Sequence, residues 1–198
     1  MPHIHIPTTP RQAFFCWAMG LFGWKSILEP PTGKKYVIVG YPHTSNWDFV
    51  PALAWIWSTG IRGAFVGKAE LFQGIMKPIM TALGGIPVER DKNRNFVQTV
   101  ADIFAARDEL FLIIAAEGTR SKAEYWKSGF YYIALEAKVP LALAYMDWKR
   151  KEIGIGGYYT PTGDLEQDWA AIKGFFEDKT GRDPSKQSPI RLKPREEA

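Results

Sequence analysis

The sequence predicts a single α/β domain with a largely parallel sheet flanked by helices, and two observations carry that prediction. Short apolar, β-branched segments alternate along the chain with longer stretches of helical periodicity. Strands that alternate with helices need crossover connections, which produce parallel sheets covered on both faces. The 198 residues are 46% hydrophobic, enough for one sizeable core, and no linker rich in serine, glycine or proline divides them.

The strands and helices are predicted from hydrophobic periodicity and from the positions of turn-forming residues. Strands are predicted near residues 36–40, 62–67, 86–89, 110–115, 139–146 and 151–156. Helices are predicted near residues 10–23, 49–58, 70–83 with an interruption at Pro78, 95–107, 129–138 and 165–178.

Three segments are expected. Residues 1–35 form an N-terminal interfacial segment, residues 36–180 form the main domain, and residues 181–198 form a tail. We expect the tail to be flexible or loosely attached, because it is polar and carries three prolines.

An imidazole and a carboxylate five positions apart mark the first candidate site. His43 and Asp48 lie on the loop after the strand at residues 36–40, so they can meet at a sheet edge. Paired, they can act as a general base, in which Asp48 fixes the tautomer of His43 and stabilises its imidazolium. The alternative is structural: Asp48 caps the helix that carries Pro51 in its first turn, and His43 is an ordinary loop histidine.

A polar turn marks the second candidate site. The apolar run of residues 109–116 ends in Glu117-Gly118-Thr119-Arg120-Ser121, and a glycine-rich stretch from Gly84 ends in Arg90. Open α/β sheets bind ligands at the carboxyl ends of their strands. Arg90 and Arg120 each offer a planar fork of donors that suits a phosphate ester, although either arginine alone is also explained by a surface salt bridge.

With Val139-Pro140-Leu141, these blocks resemble the glycerolipid acyltransferases typified by 1-acylglycerol-3-phosphate acyltransferase. The resemblance covers about residues 36–146 and rests mainly on the joint occurrence of the H-x4-D block and the E-G-T-R-S block. The chain departs from the family in having Ala115-Ala116 where Phe-Pro is usual, and Leu143-Ala144 where a second proline often stands.

The resemblance implies a reaction and roles for the residues. The reaction is acyl transfer from the thioester of acyl-CoA or acyl carrier protein to the hydroxyl of a lysophospholipid, with no cofactor. His43 would be the base and Asp48 its orienting partner. The residues that would bind or frame the acceptor's phosphate are Arg90, Glu117, Gly118, Thr119, Arg120 and Lys127.

Other functions are weighed against this one. An acyl thioesterase would use water with much the same base, and a lipid-binding module would keep the arginines without turnover. Cys16 lacks the electropositive surroundings that activate a thiol, and Ser45 is not presented by a G-x-S-x-G elbow. A single cysteine and the absence of Cys/His clusters argue against a metal site.

The N-terminal helix predicts attachment to a membrane surface. Thr9, Pro10 and Gln12 form a capping box, and residues 13–24 are uncharged and rich in aromatic side chains. Twelve residues fall short of the roughly 20 that a spanning helix needs, so we expect a peripheral or monotopic protein on the cytoplasmic face. The alternative is a helix packed on the domain's own core. The net charge of +4 suits anionic lipids, and the spread of basic residues disfavours nucleic acid.

Overall fold

The computed structural model describes residues 3–88, 96–119 and 121–193, and it places seven strands in one sheet. The strands are β1 (Lys25–Leu28), β2 (Lys35–Tyr41), β3 (Gly63–Lys68), β4 (Gly85–Val88), β5 (Leu110–Ala115), β6 (Leu141–Asp147) and β7 (Glu152–Tyr159). The helices are α1 (Pro10–Leu21), α2 (Phe49–Thr59), α3 (Met76–Ala82), α4 (Phe96–Ala105), α5 (Gly129–Ala137) and α6 (Leu165–Phe176). Short 3-10 turns lie at Asn46–Asp48, Ala69–Phe72 and Pro184–Lys186.

The sheet is mostly parallel, as predicted. Its strand order is β1-β7-β6-β2-β5-β3-β4, and the antiparallel pairing is between β6 and β7, which a short turn connects. The other neighbouring pairs are parallel. The α/β class is therefore confirmed, and the carboxyl ends of β2 and β5 lie side by side at one edge.

The central strand β2 separates two layers of core. Val37 and Val39 are fully buried on one face, against side chains of α4, α5 and α6. Tyr36 and Ile38 are buried on the other face, where α1 and α2 pack. A strand covered on both sides can consist of consecutive apolar residues, which explains why this segment reads as a continuous apolar run.

The N-terminal helix begins as predicted. The Thr9 hydroxyl accepts from the backbone N–H of Gln12, whose side chain accepts in return from the backbone N–H of Thr9. Met19 is buried, and Phe15 packs against Trp57 of α2 with ring centroids 4.9 Å apart. One face of α1 therefore joins the core, while the opposite face remains exposed.

Two local predictions need correction. Strand β1 was not predicted, yet it pairs in parallel with β7, so the segment 1–35 contributes to the sheet. The helical stretch 70–83 is interrupted at residues 73–75 rather than at Pro78. Pro78 is the third residue of α3, where the backbone N–H has no partner within the helix, so proline is tolerated.

The structure also differs from the expectation of a loosely attached tail. Residues 181–193 lie against the domain, with Ser188 buried and its carbonyl accepting from the Tyr41 hydroxyl at 2.8 Å. Trp126 and Leu192 form a parallel bridge. The prolines set the path of an ordered segment whose partners lie far away in the sequence, and composition alone carries no sign of them. Residues 194–198 lie outside the described residues.

We predict that Gly154→Ala destabilises the protein, because φ is +148° at this residue and an added Cβ would collide with the Ile27 carbonyl of β1. Overpacking of this kind costs about 1–3 kcal/mol in the free energy of unfolding. The matched control is Gly174→Ala in α6, where a Cβ meets nothing within 4 Å. This control should raise stability by up to about 1 kcal/mol. Urea unfolding measures both, and equal stabilities of the two variants would contradict the packing of β1.

Candidate active site

His43 and Asp48 form a pair directly after the carboxyl end of β2. The Nδ1 atom of His43 lies 3.0 Å from Oδ2 of Asp48. The side chain of Asp48 is 3% exposed and that of His43 is 37% exposed, so the carboxylate is buried while the ring reaches the surface. A hydrogen bond from Nδ1 to the carboxylate leaves Nε2 as the basic nitrogen.

Asp48 is held from several directions. Its Oδ2 atom also accepts from the backbone N–H groups of Thr44 at 3.0 Å and Ser45 at 2.9 Å. Its Oδ1 atom accepts from the indole N–H of Trp148 at 2.8 Å. Burial alone would raise the pKa of Asp48, but the hydrogen bonds from His43, Ser45 and Trp148 outweigh it and hold the pKa below its usual value. Asp48 therefore stays ionised at neutral pH.

The alternative prediction, that Asp48 caps a helix, applies to a different element from the one expected. Its side chain makes no capping hydrogen bond to α2. It instead completes a capping box with Ser45 around the 3-10 turn at Asn46–Asp48. The same carboxylate thus shapes the loop and contacts the imidazole, so the two functions coexist in one residue.

Glu117 lies beneath His43 and points inward. Its side chain is 2% exposed. Its Oε2 atom accepts from the backbone N–H of His43 at 2.7 Å, and its Oε1 atom accepts from the backbone N–H of Ser188 at 3.0 Å. Glu117 was predicted to bind or frame the acceptor; in the structure its carboxyl group faces two backbone amides, and it does not line the cavity that contains Lys127.

Three other predicted residues share a cavity with His43. Gly118, Thr119, Lys127 and His43 line a space of about 610 Å³ at the carboxyl ends of the strands. Gly118 has a φ of +63°, and a Cβ there would lie 2.8 Å from Cε of Lys127, so glycine lets the lysine pack over the turn. The N-terminal end of α5, which starts at Gly129, also borders this cavity and adds a partial positive charge.

The structure does not place the two predicted arginines. Arg90 and Arg120 lie outside the described residues. Among the predicted binding residues within the described part of the chain, Lys127 supplies the positive charge.

A second cavity adjoins His43 on the side of α2. It measures about 260 Å³, and its wall is mostly hydrocarbon from β2, β5, β6 and α2, including Ile38, Ile56 and Ile114. His43 lines both cavities, and of the two only the larger one also contains a cationic side chain among the described residues, that of Lys127.

Sequence reasoning missed two residues that complete the site. Trp148 contacts Asp48 across 100 positions of sequence, and Ser188 contacts Glu117 across 71 positions. Neither residue lies in a motif. Nothing in the sequence around Trp148 marks it as a partner of Asp48, and Ser188 lies in the segment predicted to be a flexible tail.

Comparison with known proteins identifies the family. Residues 26–146 match the sequence profile of the family described as Acyltransferase, which is more than half of the chain. The chain belongs to the acyltransferase family. The matched region includes the His43–Asp48 pair, Glu117 and Lys127.

A solved structure shares the fold of this acyltransferase family member. It is the crystal structure of the 1-acyl-sn-glycerophosphate acyltransferase PlsC from Thermotoga maritima, with a TM-score of 0.53 and 18% sequence identity. The similarity covers 83% of this chain and 74% of that one. No curated protein sequence matches the chain.

We predict that Glu117→Gln lowers the free energy of unfolding by about 1–3 kcal/mol, because the amide group of glutamine would face a backbone N–H and leave that donor unsatisfied. The control is Glu124→Gln, since Glu124 is exposed and lies 3.6 Å from Arg191. Loss of this exposed ion pair should change the free energy of unfolding by less than about 1 kcal/mol. Urea unfolding of both variants is the measurement. A fully stable Glu117→Gln protein would show that these two hydrogen bonds contribute little.

Proposed function

We propose that this acyltransferase moves a fatty acyl group from the thioester of acyl-CoA or acyl carrier protein to the hydroxyl of a lysophospholipid-like acceptor, with 1-acylglycerol-3-phosphate as the preferred candidate. The observation that carries the proposal is the His43–Asp48 pair, 3.0 Å apart, where His43 lines both an apolar cavity and a larger cavity that contains Lys127. An apolar cavity suits a fatty acyl chain, and a cavity with a cation suits a phosphate-bearing alcohol.

The pair would work as a general base. Nε2 of His43 takes the proton of the acceptor's hydroxyl as its oxygen attacks the thioester carbonyl carbon. The carbon–sulfur bond then breaks, and the imidazolium returns the proton to the departing thiolate. The products are an ester and a free thiol. Asp48, ionised throughout, stabilises the imidazolium between the two proton transfers.

The larger cavity, which contains Lys127, would receive the acceptor's phosphate. Lys127 supplies a cation there, and Gly118 and Thr119 supply a turn with little steric bulk. We assign Arg90 and Arg120 to the same phosphate, because each follows a segment that leads to this edge of the sheet and a guanidinium matches phosphate oxygens bidentately. Glu117 contributes indirectly, by holding the backbone of His43.

The apolar cavity would receive the donor's acyl chain. His43 stands at its boundary, while aliphatic side chains such as Ile38, Ile56 and Ile114 form its interior. A hydrocarbon chain in this space would bring its thioester to the imidazole and remove apolar surface from water.

A membrane surface would deliver the acceptor. Phe14, Trp17 and Leu21 of α1 are each more than half exposed, and so are Phe49 and Val50 at the start of α2. Farther along the chain, Leu71, Ile75 and Leu83 are also more than half exposed. Exposed apolar side chains in such number are typical of an interaction surface, and Arg11 and Lys25, which flank the uncharged residues 13–24, suit anionic headgroups. In the described part of the chain, none of the helices has the length and apolar character to cross a bilayer. We propose peripheral attachment at the cytoplasmic face.

We predict that His43→Ala lowers kcat by roughly 10²- to 10⁴-fold while the fold persists, because the general base is lost. Asp48→Asn should also impair turnover, because an amide carries no charge to stabilise the imidazolium. The asparagine oxygen can still accept from the amides of Thr44 and Ser45, so the loop should keep its shape. His3→Ala is the control, since His3 is an exposed histidine.

The assay is thiol release from acyl-CoA or acyl carrier protein, with and without a panel of lysophospholipids. Release that depends on the acceptor supports the transferase. Release without an acceptor indicates a thioesterase, and lipid binding without release indicates a binding module. Full turnover by a correctly folded His43→Ala protein would overturn the mechanism.

We predict that replacing Phe14, Trp17 and Leu21 together by serine weakens sedimentation with anionic liposomes by at least about tenfold, because three apolar side chains can no longer enter the interface. Substitution is a better test than deletion of residues 1–28, because the deletion would also remove β1 from the sheet. The control replaces the exposed α6 residues Gln167, Ala170 and Ala171 by serine. Equal liposome binding by both folded triple variants would contradict membrane attachment through α1.

A further inference from the structure

We propose that Trp148 is a positioning residue for the acyl transfer: its indole N–H fixes one oxygen of the Asp48 carboxylate so that the other faces His43. This inference rests on the proposed function of the His43–Asp48 pair. Trp148 is the first residue after β6, and its Nε1 atom donates to Oδ1 of Asp48 at 2.8 Å. Both carboxylate oxygens are thus held, which restricts rotation of the group about its bond to Cβ.

The indole is itself held on several sides. Trp24 packs against it edge to face, with ring centroids 5.0 Å apart. The Lys151 ammonium lies 5.2 Å from the ring centroid, and the Arg182 guanidinium lies 4.8 Å from it. The backbone N–H of Trp148 donates to the carbonyl of Thr180 at 2.9 Å. A donor restrained in this way can impose its geometry on the carboxylate.

Arg182 links this support to the catalytic loop. Its guanidinium lies 5.2 Å from the ring of Trp47 as well as 4.8 Å from that of Trp148, so it joins two indoles by cation–π contacts. Trp148 and Arg182 both lie beyond residues 26–146, the region that matches the family profile. The support of Asp48 therefore comes from a part of the chain that the family match does not include.

The hydrogen bond from Trp148 has an electrostatic consequence. A donor to an ionised carboxylate withdraws part of its charge, so losing the donor makes the carboxylate a stronger partner for the imidazolium. Among the described residues, the other titratable groups near the pair include Glu117 at the His43 backbone, Lys127 in the shared cavity, and Lys151 and Arg182 on the indole. Replacing the indole by a phenyl ring changes none of these formal charges.

The test is Trp148→Phe, which keeps an aromatic ring and removes the N–H. The expected result is a kcat/KM about tenfold lower, in line with one lost hydrogen bond to a charged group. The acid limb of the kcat/KM profile should move to higher pH, because a carboxylate that has lost a donor attracts the imidazolium more strongly. Trp169→Phe is the control: it makes the same substitution in α6, where Trp169 packs against Trp126 and Phe130, and it should leave the acid limb unmoved.

Two further measurements separate positioning from packing and from the proposed function itself. In an Asp48→Asn background, Trp148→Phe should have little additional effect, because both changes disrupt one unit. The titration of the His43 ring, followed by NMR, should move to higher pH in Trp148→Phe whether or not acyl transfer is detected. A moved titration without any transferase activity would overturn the proposed function and leave the positioning intact. An unmoved titration and an unmoved acid limb would overturn the positioning role.

Discussion

The buried carboxylate of Glu117 is the constraint on which the candidate site depends. Its two oxygens receive the backbone N–H groups of His43 and Ser188, at 2.7 and 3.0 Å. The end of β2, the turn after β5 and the C-terminal segment therefore meet at one residue. An ionised carboxylate buried without such partners would cost several kcal/mol. An arrangement of these three segments that left either backbone N–H away from the Glu117 carboxylate would thus be strongly disfavoured. This requirement fixes the positions of the three segments relative to one another.

Two acidic side chains hold His43 in place. Glu117 holds the backbone of His43, and Asp48 holds its ring through Nδ1. With both ends restrained, the imidazole has little freedom to leave the boundary between the two cavities. This explains how a residue with an exposed side chain on a loop keeps a defined direction, since exposed loop residues ordinarily move more than the strands they follow.

The fold and the centre of the site were predictable because their signals are local. Alternating strands and helices identify a parallel sheet, and the strand before His43 identifies the edge at which it lies. The short strand β1 escaped because four residues with an exposed lysine carry no clear period.

The long-range partners were not predictable. Trp148 and Ser188 meet their carboxylates across 100 and 71 residues, and nothing in their neighbourhoods distinguishes them from a core tryptophan and a tail serine. Glu117 was identified as important, but its direction was not, because a turn sequence does not tell whether a side chain faces the cavity or the interior.

The hydrogen bonds accepted by Asp48 limit how many protons the site can carry. Among the described residues, three N–H groups point at Oδ2 and one at Oδ1, and a carboxylate has about four lone-pair directions to offer. These hydrogen bonds favour the ionised form and hold the pKa of Asp48 below its usual value, so the carboxylate acts as a permanent counter-charge at neutral pH. In the proposed reaction the pair would then carry a single proton, which leaves the alcohol, rests on the imidazole and departs with the thiol. A cycle closed in this way exchanges no net proton with the solvent, so it requires no proton-conducting path through the protein.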